Sequence, residues 1–227
     1  MRAKWYTYPI FAAVLVSAVS CRHSYRLEGS VDLYGYDGES LYLVTHENDE
    51  FVAVDSCVVR HGRFRMGGTA DSSVFAVLCH DFNPILPLFI ERGNMTVSIA
   101  PSKLNVNGTK LNNLLYEFLD RKNEIDNRFE DVLQRSQQVS NIMDPAVSFT
   151  DSLTSVVREA EDYIYGFVKK HYDDGLGVCV FLMMCNAAPQ QEPSPLVKRI
   201  IENAPERFIS NPKVRDCLVR IGYPGFE

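Results

Sequence analysis

The chain has 227 residues, of which 46% are hydrophobic and 23% are charged. This composition predicts one or two compact domains and excludes a disordered chain, because enough apolar surface is present to form a core. Once Arg2 and Lys4 are set aside with the first 20 residues, 21 basic and 29 acidic side chains remain, a net charge of -8. Because the basic side chains are scattered as well as outnumbered, we expect no nucleic-acid partner.

The first 20 residues have the pattern of an export signal. Arg2 and Lys4 give a positive start, and an apolar run follows at residues 9–19. A helix needs about 20 apolar residues to cross a hydrocarbon core, so this run is too short for a permanent transmembrane segment. We therefore predict a signal peptide at residues 1–20.

Cys21 is the predicted site of lipid attachment. The run Ala18-Val19-Ser20-Cys21 resembles the lipobox of bacterial lipoproteins, which implies that Cys21 becomes the acylated first residue of the mature chain. Several acyl chains on one cysteine anchor a protein stably, whereas a single chain binds only marginally. The alternative is secretion without lipid. Because no acidic run follows Cys21, we expect residues 21–24 to be a short tether at the periplasmic face of the outer membrane.

The cysteines that follow Cys21 are odd in number. The five that follow Cys21 are Cys57, Cys79, Cys179, Cys185 and Cys217. An odd number cannot all pair within one chain, so at least one thiol is free or intermolecular. No C-x-x-C and no zinc-site spacing is present, which predicts no metal site. Cys179 and Cys185 lie in an apolar run and are expected to be buried and inert. Cys57 and Cys79 fall in predicted strands. The sequence is compatible both with a disulfide between them and with two free thiols.

Residues 25–108 are predicted to form an antiparallel β domain, either a sandwich or barrel-like. Short β-branched or aromatic runs alternate with turn residues at the spacing typical of these folds. The predicted strands are 25–31, 41–45, 51–59, 63–66, 74–79, 86–90 and 95–99. Asp37-Gly38, His61-Gly62 and Gly93-Asn94 supply residues that reach positive φ at low cost, so we expect tight hairpin turns there.

Residues 109–227 are predicted to be α-helical, which makes the fold class α+β. Apolar residues at helical spacing predict one long helix from 111 to about Ser140. Ser148 and Asp151 have the spacing of a capping box at the start of a second helix, which Asp174-Gly175 ends. The remaining predictions are a buried helix at 177–185, a proline-rich break at 189–195, and short helices at 196–203 and 213–221, the last capped by Asn211.

Five short stretches of the β domain stand in a characteristic order. They are Tyr-Arg-Leu-Glu-Gly at 25–29, Val-Asp-Ser-Cys-Val-Val at 54–59, Gly-Arg-Phe-Arg-Met-Gly-Gly at 62–68, Phe-Ile-Glu-Arg-Gly-Asn at 89–94 and Val-Asn-Gly-Thr at 106–109. This series resembles a bacterial domain family of unknown function that precedes thioredoxin-like domains in exported thiol/disulfide oxidoreductase lipoproteins. The helical stretches at 176–184 and 204–206 are similar to that family's linker region.

The resemblance does not predict redox chemistry for this chain. In such proteins a thioredoxin-like domain with a C-x-x-C follows, and this chain has no C-x-x-C. Cys57 stands at a strand position where the family motif requires no cysteine. The resemblance therefore implies a binding, scaffolding or spacer module.

Two polar clusters have a chemical and a structural interpretation. His80-Asp81 supplies half of an acid/base pair, but no nucleophile motif accompanies it, so a surface turn is favoured. Glu47, Asp49 and Glu50 lack the ligand spacing of a calcium loop, so a solvated hairpin tip is favoured. We predict no metal and no cofactor.

The sequence thus predicts a lipid-anchored envelope protein that is a non-catalytic binding or scaffolding module for a protein partner. The lack of a recognisable catalytic constellation favours binding over an enzymatic role. The alternative is a redox accessory protein that works with a separate thioredoxin-like partner through a free thiol such as Cys57.

Overall fold

A computed structural model describes residues 24–47, 50–139, 146–186 and 193–226. The predicted signal peptide, Cys21, Asp49 and residues 189–192 of the proline-rich break lie outside them. Within the described residues the order is eight strands followed by six helices, which confirms the predicted α+β architecture. No helix in this part of the chain is long and apolar enough to span a membrane.

The strands form two four-stranded sheets. They are β1 (Ser24–Val31), β2 (Ser40–Glu47), β3 (Glu50–Val58), β4 (Arg63–Thr69), β5 (Val74–His80), β6 (Asn83–Ile90), β7 (Gly93–Ala100) and β8 (Lys103–Asn107). The first sheet has the order β4-β1-β7-β8, and the second has the order β3-β2-β5-β6. The β1-β7 pair is parallel, whereas the other pairs are antiparallel. β8 was not among the predicted strands, because only two of its five residues are apolar.

The two sheets enclose one apolar core. Leu27 and Val97 of the first sheet and Leu41 and Leu78 of the second are 0% exposed and belong to one cluster. Their neighbours along each strand point to the other face, as the two-residue period of a strand requires. This packing confirms a sandwich.

The predicted glycine turns are present, but the two strands that each turn connects lie in different sheets. Gly38 and Gly93 have φ of 90° and 118° and lie where the chain crosses between sheets. His61 and Gly62, with φ of 52° and 67°, connect β3 to β4, which also lie in different sheets. The expectation of hairpins was wrong at Asp37-Gly38 and Gly93-Asn94, because turn chemistry does not reveal which strands pair. At His61-Gly62 a tight turn is present, with Arg60 and Arg63 exchanging both backbone hydrogen bonds, although β3 and β4 then continue into different sheets. The hairpins are β2-β3, β5-β6 and β7-β8.

The helices follow the sequence pattern closely except at two boundaries. They are α1 (Lys110–Val139), α2 (Ala146–Lys170), α3 (Gly175–Asn186), α4 (Pro195–Glu202), α5 (Glu206–Ile209) and α6 (Pro212–Arg220). α2 begins two residues before Ser148, so the predicted capping box does not mark its start. Asp174 caps the start of α3 by accepting from Leu176 N at 2.9 Å, whereas the sequence suggested the end of α2. Asn211 caps α6 as predicted, and α5 was not anticipated.

Asn112 attaches the helical region to the sandwich. Its side chain is fully buried, accepts from Phe89 N at 2.8 Å and donates to Phe89 O at 2.7 Å. The side-chain amide of Asn112 thus makes with β6 the two hydrogen bonds that a neighbouring strand would make with this edge strand. Leu115 and Tyr116 of α1 continue the contact as members of the sandwich core. A second, helical cluster includes Phe181 and residues from α1 to α6.

Candidate functional site

Helices cover one half of the outer face of the second sheet. On the β5 and β6 side, the rings of Phe75 and Phe89 meet edge to face with centroids 5.6 Å apart. Phe89 is 2% exposed and belongs to the same cluster as Leu176 and Cys179 of α3. A Cβ on Gly175, the first residue of α3, would stand 3.6 Å from the Phe89 ring. This half of the face is therefore buried beneath the helical region.

The other half carries an exposed row of rings, which we call the aromatic ridge: Tyr42, His46, Phe51 and Phe82. Leu41 points into the core from β2, so Tyr42 and His46 point outward. Phe82 stacks on Tyr42 with centroids 5.8 Å apart and an interplanar angle of 8°. Phe51 meets His46 edge to face at 5.1 Å. Phe51 and Phe82 are 79% and 77% exposed, so they contribute little to the core.

A tight turn positions Phe82 at one end of the ridge. Asp81 and Phe82 link β5 to β6, with φ of 46° and 61°. Both therefore adopt the left-handed conformation that two-residue hairpin turns require, which is uncommon for phenylalanine. The sequence placed the next strand at 86–90, whereas β6 begins at Asn83. Pro84 is tolerated near the start of this strand because β6 is an edge strand.

An open strand edge positions Phe51 at the other end. β3 is the edge strand next to β2, and residues 50–54 are all exposed. From Asp55 onward β3 meets the first sheet, where the Asp55 carboxylate accepts from the Tyr25 hydroxyl at 2.9 Å and Gly67 N at 3.0 Å. Residues 51–54 thus form an apolar edge of the kind that pairs readily with another chain.

The ridge has acidic groups at both ends. Glu50 is exposed beside Phe51. At the Phe82 end, His80 Nε2 lies 3.3 Å from a Glu39 carboxylate oxygen and 3.7 Å from an Asp81 oxygen. One imidazole and two carboxylates are a donor set that can hold a divalent cation. The predicted surface turn at His80-Asp81 is confirmed.

Cys57 lacks the environment of a reactive thiol. It lies half-buried on β3, and burial raises its pKa to about 11, although a hydrogen bond from the Arg65 backbone acts in the opposite direction. A thiol with this pKa is almost wholly protonated at neutral pH and is therefore a poor nucleophile.

The structure excludes a disulfide between Cys57 and Cys79, which the sequence had permitted. Cys57 lies opposite Leu41 and Cys79 opposite Tyr42, so their side chains point to different faces of the sheet. Their strands are separated by β2, which puts them about 10 Å apart, beyond the roughly 7 Å limit for a disulfide. Both thiols are free.

The predicted burial of the helical cysteines is confirmed. Cys179 and Cys185 are 4% and 9% exposed, and burial raises the pKa of Cys179 to about 12.

The match to known families covers the sandwich. Residues 25–115 match a family model described as a domain of unknown function (DUF4369). This match supports the predicted resemblance to such a domain family. It ends at Leu115, which is 0% exposed and lies in the sandwich core, so the matched segment includes the first turns of α1. No curated protein and no solved structure matches the chain.

Proposed function

We propose that this chain is a non-catalytic binding module of the bacterial cell envelope, anchored to a membrane by lipid on Cys21, whose aromatic ridge binds an extended segment of a protein partner. The observation that carries this proposal is the exposure of Phe51 and Phe82, 79% and 77%, on a sheet face whose other half is buried. Burying each ring against a partner would stabilise a complex by about 1.5–3 kcal/mol before ordering costs.

The open edge of β3 favours a strand-like ligand. An extended peptide that pairs with residues 50–54 gains main-chain hydrogen bonds, and alternate side chains then contact the ridge. Glu50 at one end and Glu39 and Asp81 at the other favour basic residues flanking an apolar centre. The partner segment is thus apolar in the middle and positively charged at its ends.

A redox role through Cys57 is the weaker candidate. With a pKa of about 11, Cys57 is thiolate in about one molecule in ten thousand at pH 7. Attack on the disulfide of a thioredoxin-like partner requires the thiolate.

Site-specific photo-crosslinking in intact cells tests the binding role. A photoreactive amino acid at position 51 or 82 should capture a protein partner, because both side chains project from the ridge. Position 34 is the control, since Tyr34 is also a fully exposed aromatic residue but lies outside the ridge. Capture of the same proteins with equal yield at all three positions would contradict the proposal.

Alanine variants measure the contribution of the ridge once a partner is captured. We expect Phe51→Ala and Phe82→Ala each to weaken binding at least about tenfold. Val157→Ala removes a half-exposed apolar side chain from α2 and should leave binding unchanged. Equal losses in all three variants would point to a general effect on the fold.

Incorporation of a radioactive fatty acid tests the anchor. The wild-type chain should take up label and Cys21→Ala should not. Label that persists in Cys21→Ala, or none in the wild type, would refute lipidation at this residue. Protease treatment of intact cells separately tests the periplasmic orientation, because a surface-exposed chain would be digested.

A further inference from the structure

Two thiols meet inside the helical region, far apart in sequence. Cys185 lies in the last turn of α3, and Cys217 lies on the inward face of α6 with Val214 and Leu218. Both cysteines belong to the helical core cluster, at 9% and 1% exposure. α3 packs directly against α6, and a hydrogen bond between the two thiols is the main cause by which each shifts the pKa of the other.

Arg220 adds a charge to this pair. It follows Cys217 by three residues on the same helix, and its guanidinium donates a hydrogen bond to the Cys217 sulfur. The Cys185 thiol and then Arg220 lower the pKa of Cys217, whereas the hydrogen bond with Cys217 and burial raise the pKa of Cys185. One thiolate within the pair is therefore stabilised by a neighbouring S–H and by a cation, a combination found at exchange-active cysteines.

We propose that Cys185 and Cys217 are a redox pair that closes to a disulfide between α3 and α6 when a disulfide oxidant is present. The Cys217 thiolate attacks one sulfur of the oxidant, which forms a mixed disulfide and releases one thiolate. Cys185 loses its proton and attacks the Cys217 sulfur, which forms the intramolecular bond and releases the second thiolate. Two protein thiols are oxidised, and one oxidant disulfide is reduced to two thiols.

The position of the pair provides a route for exchange. Cys185 is the second-to-last residue of α3, and the ends of helices open locally at low free energy, which exposes their side chains to exchange. The closed disulfide would join segments 32 positions apart and tie α6 to the helical core. This chemistry does not depend on the binding role proposed for the ridge.

Oxidation of the full chain by glutathione disulfide tests the proposal. The chain is purified in detergent under reducing conditions, equilibrated with glutathione disulfide at pH 7.5, quenched with N-ethylmaleimide under denaturing conditions and digested. We expect one cross-linked species that joins Cys185 to Cys217, with Cys57, Cys79 and Cys179 alkylated. Trypsin leaves Cys179 and Cys185 in one peptide, between Lys170 and Lys198, so fragment-ion sequencing is needed to assign the bond.

Three variants make the outcome specific. Cys217→Ser and Cys185→Ser should each abolish the cross-linked species, whereas Cys57→Ser should retain it at the wild-type yield. Arg220→Gln should still form the disulfide but slow its formation about threefold at pH 7.5, because raising a pKa of about 7 by one unit lowers the thiolate fraction by that factor. The wild-type chain should also melt at a higher temperature after oxidation, since a loop has been closed.

Two results would overturn the proposal. One is the absence of the Cys185–Cys217 species at oxidant concentrations that fully oxidise dithiothreitol in the same solution. The other is a disulfide that involves Cys179 in place of Cys185 in the folded chain.

Discussion

Replacement of Asn112 should show how strongly the helical region depends on the sandwich. The Asn112 side chain makes three short hydrogen bonds, accepting from Phe89 N at 2.8 Å and donating to Phe89 O at 2.7 Å and Thr109 Oγ1 at 2.8 Å. In Asn112→Ala the N–H and C=O of Phe89 lose these partners while remaining buried beneath α1. Each buried group left without a partner costs about 1–3 kcal/mol, and the space vacated by the amide adds to the loss.

We therefore expect Asn112→Ala to lower the free energy of unfolding by about 3–5 kcal/mol, a large part of the roughly 5–15 kcal/mol of a typical domain. Urea denaturation followed by far-ultraviolet circular dichroism measures this loss. Asn113→Ala is the matched control, because Asn113 is the next residue, is exposed and accepts one hydrogen bond from Gly108 N at 3.0 Å. Its loss should stay below about 1 kcal/mol.

Asn112→Asp separates hydrogen bonding from packing. The carboxylate can still accept from Phe89 N, but an ionised oxygen then faces Phe89 O, and burial raises the pKa of the new group. Because the pKa is higher in the folded than in the unfolded state, the variant should lose stability relative to wild type as pH rises from 4 to 7. A loss below about 1 kcal/mol in both variants would refute the bridging role of Asn112.

Three further outcomes follow from single contacts. Gly108→Ala should lower the unfolding free energy by about 2–3 kcal/mol in urea titrations, because Gly108 has φ of 102° and a Cβ would overlap with Asn94 O; a neutral effect would contradict this. Alkylation of Cys57 by iodoacetamide, followed by peptide mass spectrometry, should quicken about tenfold per pH unit up to about pH 11, and a plateau below pH 9 would show an activated thiol. Phe51→Ser and Phe82→Ser should each shift the unfolding free energy by less than about 0.5 kcal/mol, whereas a larger loss would show that the rings support the core.

The fold class could be predicted from sequence because the two hydrophobic periods are clear. Leu41 and Leu43 alternate with outward residues, and the α1 stripe repeats at helical spacing, so element types followed from local pattern. The pairing of strands could not be predicted in the same way. Gly38 and Gly93 have the positive φ that their type suggests, but their strands cross between sheets.

The aromatic ridge was missed because it depends on which side of a sheet is left open. Phenylalanine at 51 and 82 is ordinary in a β-rich sequence, where most aromatic residues face inward. The available local signal was Asp81-Phe82-Asn83, a short polar turn with an aromatic residue at its centre. Pro84 follows this turn, and proline is uncommon inside strands, so the local sequence does not show that β6 begins at Asn83. Only the placement of α3 over Phe89 shows that the helices cover one half of the sheet and leave the other half exposed.

The cysteines show why residue counts could not identify which thiols lie close together. Cys57 and Cys79 lie 22 positions apart in neighbouring parts of the β domain, yet the intervening strand and the alternation of side chains keep them from meeting. Cys185 and Cys217 lie 32 positions apart on two helices that pack together, and each thiol shifts the pKa of the other. The helical stripe of α6 predicts that Cys217 faces inward, but it cannot specify which neighbouring helix it faces. Helix packing therefore decides where thiol chemistry can occur in this chain, and it favours the pair in the helical region over the single thiol in the sandwich.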